Sequence, residues 1–224
     1  MQTISALPSE RDAHLTEIIR QRYQRIAPFY DSMEGMAERR YHPWREHLWS
    51  LVQGASVLEA GVGTGKNMPY YPTGTFITAV DFTPGMLQQA EERARKLGIA
   101  SKVKIHLGDV QTLDFADAVF DTAIATFVFC SVPDPVLGLH ELKRVVKAGG
   151  RVLLLEHMRS SNPFLGALMD FLNPVVVRMM GANINRNTVD NVLLAGLEIE
   201  QIEDLGTGGI FKLIAARVLT EVQI

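Results

Sequence analysis

The chain has 224 residues, enough for one well-buried domain with a small appendage and not clearly for two. Its hydrophobic share of 47% is ordinary for a globular protein, and a net charge of −3 gives no reason to expect nucleic acid as a partner. One cysteine excludes an internal disulfide framework and fits a reducing compartment. Met1 to Asp12 lacks an apolar core of signal-peptide length, and no run of 18 apolar residues occurs. The expectation is a cytoplasmic protein, with contact at a membrane surface left open.

In chain order, residues 9–27 place Leu15, Ile18, Ile19, Tyr23 and Ile26 at steps of three and four, predicting an amphipathic helix that stops near Pro28. A second helix is predicted over Pro43–Val52, with Pro43 at its first position. From residue 55 short apolar runs alternate with helical segments. The runs are Ser56–Ala60, Thr75–Asp81, Val103–Leu107, Phe120–Thr126 and Gly150–Glu156. Helices are predicted at Pro84–Leu97 and Pro135–Val146, the second with a glycine-rich stop at Lys147-Ala148-Gly149-Gly150. Continuous apolar strands separated by helices imply a parallel sheet covered on both faces, a doubly wound α/β domain.

The last third differs. Residues 162–180 are apolar and helix-like, with an expected break at Pro174. A short helix over Thr188–Ala195 follows, and then Leu197–Leu205 and Ile210–Val218 flank Gly206-Thr207-Gly208-Gly209 as a hairpin. A mostly parallel sheet closed by an antiparallel hairpin resembles the seven-stranded Rossmann-like sheet of class I methyltransferases; dinucleotide dehydrogenases continue with another parallel crossover. The division expected is an N-terminal helical cap or lid over residues 1–52 and a core over 53–224, with the apolar helical segment inserted at about 162–186.

Gly61-Val62-Gly63-Thr64-Gly65 follows a predicted strand and is expected to open a helix whose N-terminus offers free N–H groups. A dinucleotide fingerprint needs glycine at position 66, where Lys66 stands. A P-loop needs glycine at 60 and Ser or Thr after the lysine; Ala60 and Asn67 are there instead. Both phosphate-binding readings fail on spacing. Carboxylates at strand ends point instead to a cationic cofactor: Glu59 beside the loop, Asp81 placed for two ribose hydroxyls, and Asp109 for an adenine amino group. S-adenosylmethionine carries a sulfonium, an ammonium and no phosphate, and S-adenosylhomocysteine is the product left after methyl transfer. A non-catalytic domain binding the same ligand fits the glycines and carboxylates equally well.

The stretch from Tyr23 to Arg159 resembles the small methyltransferases related to the ubiquinone/menaquinone C-methyltransferases and the bacterial phosphatidylethanolamine N-methyltransferases. The matching pieces are Ala27-Pro28-Phe29-Tyr30-Asp31, Leu58 through Gly65, Asp81-Phe82-Thr83-Pro84-Gly85-Met86, Gly108-Asp109-Val110 and Leu142 through Gly150. Leu172-Asn173-Pro174 and Gly181-Ala182-Asn183 look similar to small thiol methyltransferases. The resemblance implies that Gly61 and Gly63 approach the methionine portion of the donor and Asp81 its ribose. Phe82 and Met86 would lie beside the adenosine, Asp109 and Val110 would bind adenine, and Thr126 and Phe127 would face the methionine end. Tyr23, Gly65 and Asn67 complete the expected cofactor residues. Val62 and Ala60 depart from the commoner family residues, with consequences only for packing.

Methyl transfer is an in-line displacement with an excellent leaving group, so positioning and desolvation supply much of the rate, and a base is needed only when the acceptor must lose a proton. Tyr30 and Tyr23 could fold over the cofactor or simply pack the cap, and His157, at the end of a strand, could be a general base or a structural histidine. Cys130 reads as a buried, inert thiol, and no Cys/His spacing suggests a metal site. Arg20, Arg22, Arg25, Arg39 and Arg40 form either a positive rim for lipid phosphates or, preferably, a solvated helix face. The apolar 162–180 segment reads as a lid on an apolar or amphipathic acceptor, ahead of core packing and of a lipid-facing surface. The expected partner is a small-molecule or lipid-like methyl acceptor, phosphatidylethanolamine nitrogen first, with a quinone ring carbon and a small thiol next; the expected state is a monomer or small homo-oligomer.

Overall fold

Two short strands near the middle of the sequence, β1 (Ser56–Ala60) and β4 (Phe120–Thr126), are buried on both faces and form the centre of a seven-stranded sheet. The computed structural model describes residues 7–206 and 208–220, less the side chains of Met36, Met179 and Met180. Thr207 of the predicted turn and those methionine side chains therefore lie outside the described residues. The remaining strands are β2 (Phe76–Asp81), β3 (Val103–Leu107), β5 (Val146–His157), β6 (Glu198–Leu205) and β7 (Phe211–Arg217), in the order β3-β2-β1-β4-β5-β7-β6. The first five run parallel, and β7 is antiparallel to both β5 and β6.

Strand alternation divides the core in two. Leu58, Leu154 and Ile214 pack with Phe129, Leu139, Leu142 and Val192 on one face. Val57, Leu153, Leu155 and Leu213 pack with Leu48, Trp49, Leu87 and Ala90 on the other. The first face is covered by α4 (Pro135–Val145) and α6 (Thr188–Leu194), the second by α3 (Pro84–Lys96) and the end of α2 (Tyr30–Ser50). Asp134 caps α4 by accepting the Leu137 N–H at 3.0 Å. The N-terminal α1 (Glu10–Ile26) buries none of its own residues; Ser9 caps it by accepting the Asp12 N–H.

Several sequence expectations are corrected. Pro43 does not begin a helix: α2 starts at Tyr30, one 3₁₀ turn (Ala27–Phe29) after α1, and carries Pro43 inside. Its missing N–H removes one backbone bond, but Tyr41 and Trp44 on either side pack against Phe211, and Arg45 is buried and bonded, so the helix continues. Likewise α5 (Pro163–Met180) passes through Pro174 unbroken, anchored beside it by Asn173, whose Oδ1 accepts the Ile184 N–H at 2.8 Å. The glycine-rich stop after α4 is absent. Val146 is already in β5, and Lys147–Gly150 form a bulge where the pairing jumps from Phe120–Val146 to Thr122–Arg151. Finally, no α-helix follows the Gly61–Gly65 loop; a single 3₁₀ turn, Met68–Tyr70, does. Gly65 at φ +82° leaves the helical region, and Pro69 takes a donor from the turn.

Candidate functional site

The C-terminal ends of the parallel strands and the two N-terminal helices enclose a cavity. Gly61 and Gly63 come from the loop after β1, and Val80, Asp81, Phe82, Thr83 and Met86 from the end of β2 and the start of α3. The turn after β3 supplies Gly108, Asp109, Val110 and Gln111; the turn after β4 supplies Phe127, Val128, Ser131, Val132 and Pro133. Thr16, Tyr23 and Tyr30 close it from α1 and α2. A crevice at the carboxyl ends of parallel strands is where open α/β sheets bind ligands.

The glycine loop is wired into the sheet. Gly61 and Val62 donate N–H bonds to Val80 O at 2.8 and 3.0 Å, and Gly63 donates to Asp81 Oδ2 at 3.0 Å. Asp81 Oδ1 accepts the Thr83 N–H at 2.8 Å, and these backbone bonds oppose the upward pull of burial on the carboxyl. The expected row of free N–H groups at a helix N-terminus is thus not what this loop presents, because these donors are bonded internally and the helix is missing. A Cβ at Gly61, where φ is +70°, would collide with the Val128 side chain, so only glycine fits. The charged side chains on this largely apolar wall, Asp81 and Asp109, are both acidic, which suits a cation.

Asp109 is partly satisfied by Gln111, whose backbone N–H donates to Oδ1 at 2.9 Å and whose side-chain amide reaches Oδ2 at 2.9 Å. Gln111 is fully buried, donates to Thr16 Oγ1 at 3.0 Å and accepts the Asp134 N–H at 3.0 Å. Sequence reasoning missed Gln111, Thr16 and Ser131; a glutamine two residues beyond the strand-end aspartate was the only signal. Tyr23 Oη and Ser131 Oγ lie 2.8 Å apart, and the Tyr23 ring sits 6.3 Å from Tyr30 and 6.2 Å from Phe82. Burial pushes both phenols above their ordinary range, so both stay neutral.

Of the residues expected to meet the cofactor, Glu59, Gly65, Asn67 and Thr126 are not on the cavity wall. Glu59 Oε1 accepts from Asn67 Nδ2 at 2.7 Å and Oε2 accepts the Tyr71 hydroxyl. Asn67 also donates to Thr126 Oγ1 at 3.1 Å and accepts from Arg45 Nη1 at 2.8 Å, while Arg45 holds Glu38. This buried chain braces the loop. Burial is the main influence on Glu59 and pushes its carboxyl up to about 7, against the bonds from Tyr71 and Asn67.

His157 also stands off the wall, with its Nδ1 buried and without a hydrogen-bond partner. Its ring lies 6.5 Å from Phe127, at the edge of an aromatic cluster in which Tyr41 is 4.8 Å from Phe127 and 5.6 Å from Phe211. Cys130 is buried, and burial pushes its thiol up to about 12, which leaves it protonated. The arginines divide: Arg20 pairs with Glu17, Arg22 donates to Val177 O at 2.8 Å, and Arg40 stacks over Trp44.

The α5 segment is not a lid turned inward. Phe164 is 87% exposed and Phe171 79%, and Leu168, Leu172 and Val175 continue the same outward stripe, while Met169 faces inward. Among the described residues no helix is long and apolar enough to cross a membrane. The segment after α5 ties this helix to the cavity: Asn183 donates from N and Nδ2 to Cys130 O at 2.8 and 3.1 Å, and Arg186 to Val132 O at 2.8 Å.

Comparison with known proteins agrees with this geometry. Residues 58–154 match the family model described as a methyltransferase domain. The chain is 33% identical to a phosphatidylethanolamine N-methyltransferase of Cereibacter sphaeroides over 73% of this chain and 80% of that protein. It is 32% identical to a ubiquinone/menaquinone biosynthesis C-methyltransferase of Bdellovibrio bacteriovorus over 74% of this chain and 72% of that protein. A geranyl diphosphate C-methyltransferase from Streptomyces coelicolor A3(2), solved with Mg2+, geranyl diphosphate and S-adenosyl-L-homocysteine, has the same fold. Its TM-score is 0.67 at 19% identity, covering 81% of this chain and 80% of that one. Internally bonded glycine-loop donors, acidic strand ends and these similarities lead to one assignment: the chain belongs to the family of S-adenosylmethionine-dependent methyltransferases.

Proposed function

We propose that this enzyme methylates a lipid-like acceptor, with the amine of phosphatidylethanolamine as first candidate and the bilayer surface as the place where the acceptor is met. The carrying observation is the outward apolar stripe of α5, two of whose phenylalanines are nearly bare and whose following segment is bonded to the cavity wall. Such a face lies in a lipid interface at low cost, since the apolar area is removed from water. The relative from Cereibacter supports the same acceptor, and the one from Bdellovibrio supports a quinone ring carbon as the second reading.

The donor supplies a methyl group on a sulfonium with a neutral thioether as leaving group. In this reading Asp81 and Asp109 hold its ribose and adenine, Phe82, Met86 and Val110 enclose the adenosine, and Gly61 and Gly63 lie against the methionine portion. Glu59, Gly65, Asn67 and Thr126 act from behind, keeping the loop in place. Tyr23 and Tyr30, neutral and half-buried, exclude water and offer aromatic faces to an acceptor ammonium. His157 stands behind this wall and packs at the edge of the Phe127 cluster. Incubation with methyl-labelled donor and vesicles containing phosphatidylethanolamine tests the reading, with a demethylated quinone and a small thiol as competitors; label appearing in the quinone or thiol, and not in lipid, overturns it.

A further inference from the structure

We propose that Glu156 is a positioning residue for the methyl donor: its buried carboxyl group holds the Phe127–Phe129 turn in the shape that backs the Gly61 loop. Glu156 lies at the end of β5 after Leu153, Leu154 and Leu155, and like them is completely buried. Oε1 accepts the Val128 N–H at 2.9 Å and the Phe129 N–H at 3.0 Å. Oε2 is buried with no hydrogen-bond partner. A carboxyl in an apolar core with one oxygen unsatisfied costs folding free energy, which the two bonds from the turn offset only in part.

What depends on it is an unfavourable backbone. Phe127 has φ +57°, a strained region that bulky side chains rarely occupy. The turn keeps this shape through the Phe127 N–H bond to Leu155 O at 2.8 Å and the two bonds to Glu156. Phe127 and Val128 are both cavity wall, and the Val128 side chain fills the space beside Gly61 that a Cβ would need. Displacing the turn therefore moves the wall and the glycine loop together. Glu156 does not itself line the cavity, so it acts through the turn.

The test is calorimetric titration of S-adenosylhomocysteine into the wild-type chain, Glu156→Gln and Glu156→Leu, with thermal unfolding alongside. It needs no acceptor; failure of the wild type to bind would speak against the donor assignment and not against this role. Glu156→Gln keeps an acceptor oxygen and is expected to bind within about threefold of wild type, because neutral N–H···O bonds survive. Glu156→Leu is expected to bind at least tenfold more weakly. A core variant of the other cluster, Val103→Ala at the opposite end of the sheet, loses stability without that loss of affinity. Equal affinity in Glu156→Leu and wild type overturns the proposal, as does a glutamine variant no better than leucine. Should the leucine variant not fold, amide exchange in Glu156→Gln decides: protected Val128 and Phe129 amides with retained affinity support the role, and unprotected amides with undiminished affinity sink it.

Discussion

Asp81 and Gly63 are joined by a 3.0 Å bond from the glycine N–H to Oδ2, so the strand-end carboxylate holds the loop as well as facing the cavity. Asp81→Asn leaves the size unchanged but swaps one acceptor for a donor beside that N–H. Hydrogen bonds to charged groups contribute about 1.5–3 kcal/mol, which is roughly a 10- to 150-fold loss of affinity. Titration with S-adenosylhomocysteine should show a loss in that range; unchanged affinity would remove Asp81 from the donor site.

Gly61 tolerates no side chain. Gly61→Ala places a methyl group against Val128 at a positive φ, and steric conflict plus backbone strain should cost roughly 1–3 kcal/mol of stability. A lower midpoint in urea unfolding should accompany weak or absent donor binding, and the same substitution at Gly74, where a Cβ meets nothing within 4 Å, should leave donor binding intact.

Glu59 makes the fold sensitive to pH. Its carboxyl rises from an ordinary 4.5 to about 7 on folding because it is buried, so the folded chain binds a proton that the unfolded chain releases. The stability this contributes is complete below about pH 4.5 and is lost as pH rises toward 7, the direction expected for any raised pKa. Glu59→Gln keeps the Asn67 bond and removes the titration. Urea unfolding between pH 4.5 and 7.5 should show a shallower decline for Glu59→Gln than for wild type; parallel curves would contradict the assignment.

Phe164 and Phe171 can be changed without touching the core. Exposed substitutions away from special features stay within about ±0.5 kcal/mol, so Phe164→Glu with Phe171→Glu should fold and bind S-adenosylhomocysteine as wild type does. Co-sedimentation with anionic vesicles should fall severalfold. Undiminished sedimentation would mean that α5 is not the lipid-facing surface.

His157→Gln separates chemistry from binding. His157 stands off the cavity wall, so turnover on an amine acceptor should fall far less than the roughly 10²–10⁴-fold that a positioned general base contributes, while donor affinity holds. A fall of that full size would instead make His157 the base.

Much of the sheet was legible because its central strands are buried on both faces and punctuated by turns: Ser56–Ala60 and Phe120–Thr126 appear with the bounds their apolar runs suggest. Val103–Leu107 also appears as bounded, though this edge strand is mostly exposed. The helix start at Tyr30 was not legible, since residues 30–42 are charged and the proline at 43 mimics a beginning. The cavity wall was legible where a motif carried it, as with Asp81 and Asp109, and illegible where it came from tertiary approach, as with Thr16 and Ser131. The side of the loop that Glu59 takes was not legible, because motif spacing says which residues are near the loop and not which way they turn. Alternation along β5 hid Glu156 in a similar way, drawing attention to the adjacent histidine.

The two N-terminal helices are tied to the core by side-chain hydrogen bonds: Tyr23 to Ser131 on the cavity wall, and Gln24 to Gly85 and Asp31 to Thr64 and Arg93 beside it. The wall supplied by Thr16, Tyr23 and Tyr30 therefore rests on hydrogen bonds more than on burial, and α1, which buries none of its residues, is the element whose displacement costs the least packing.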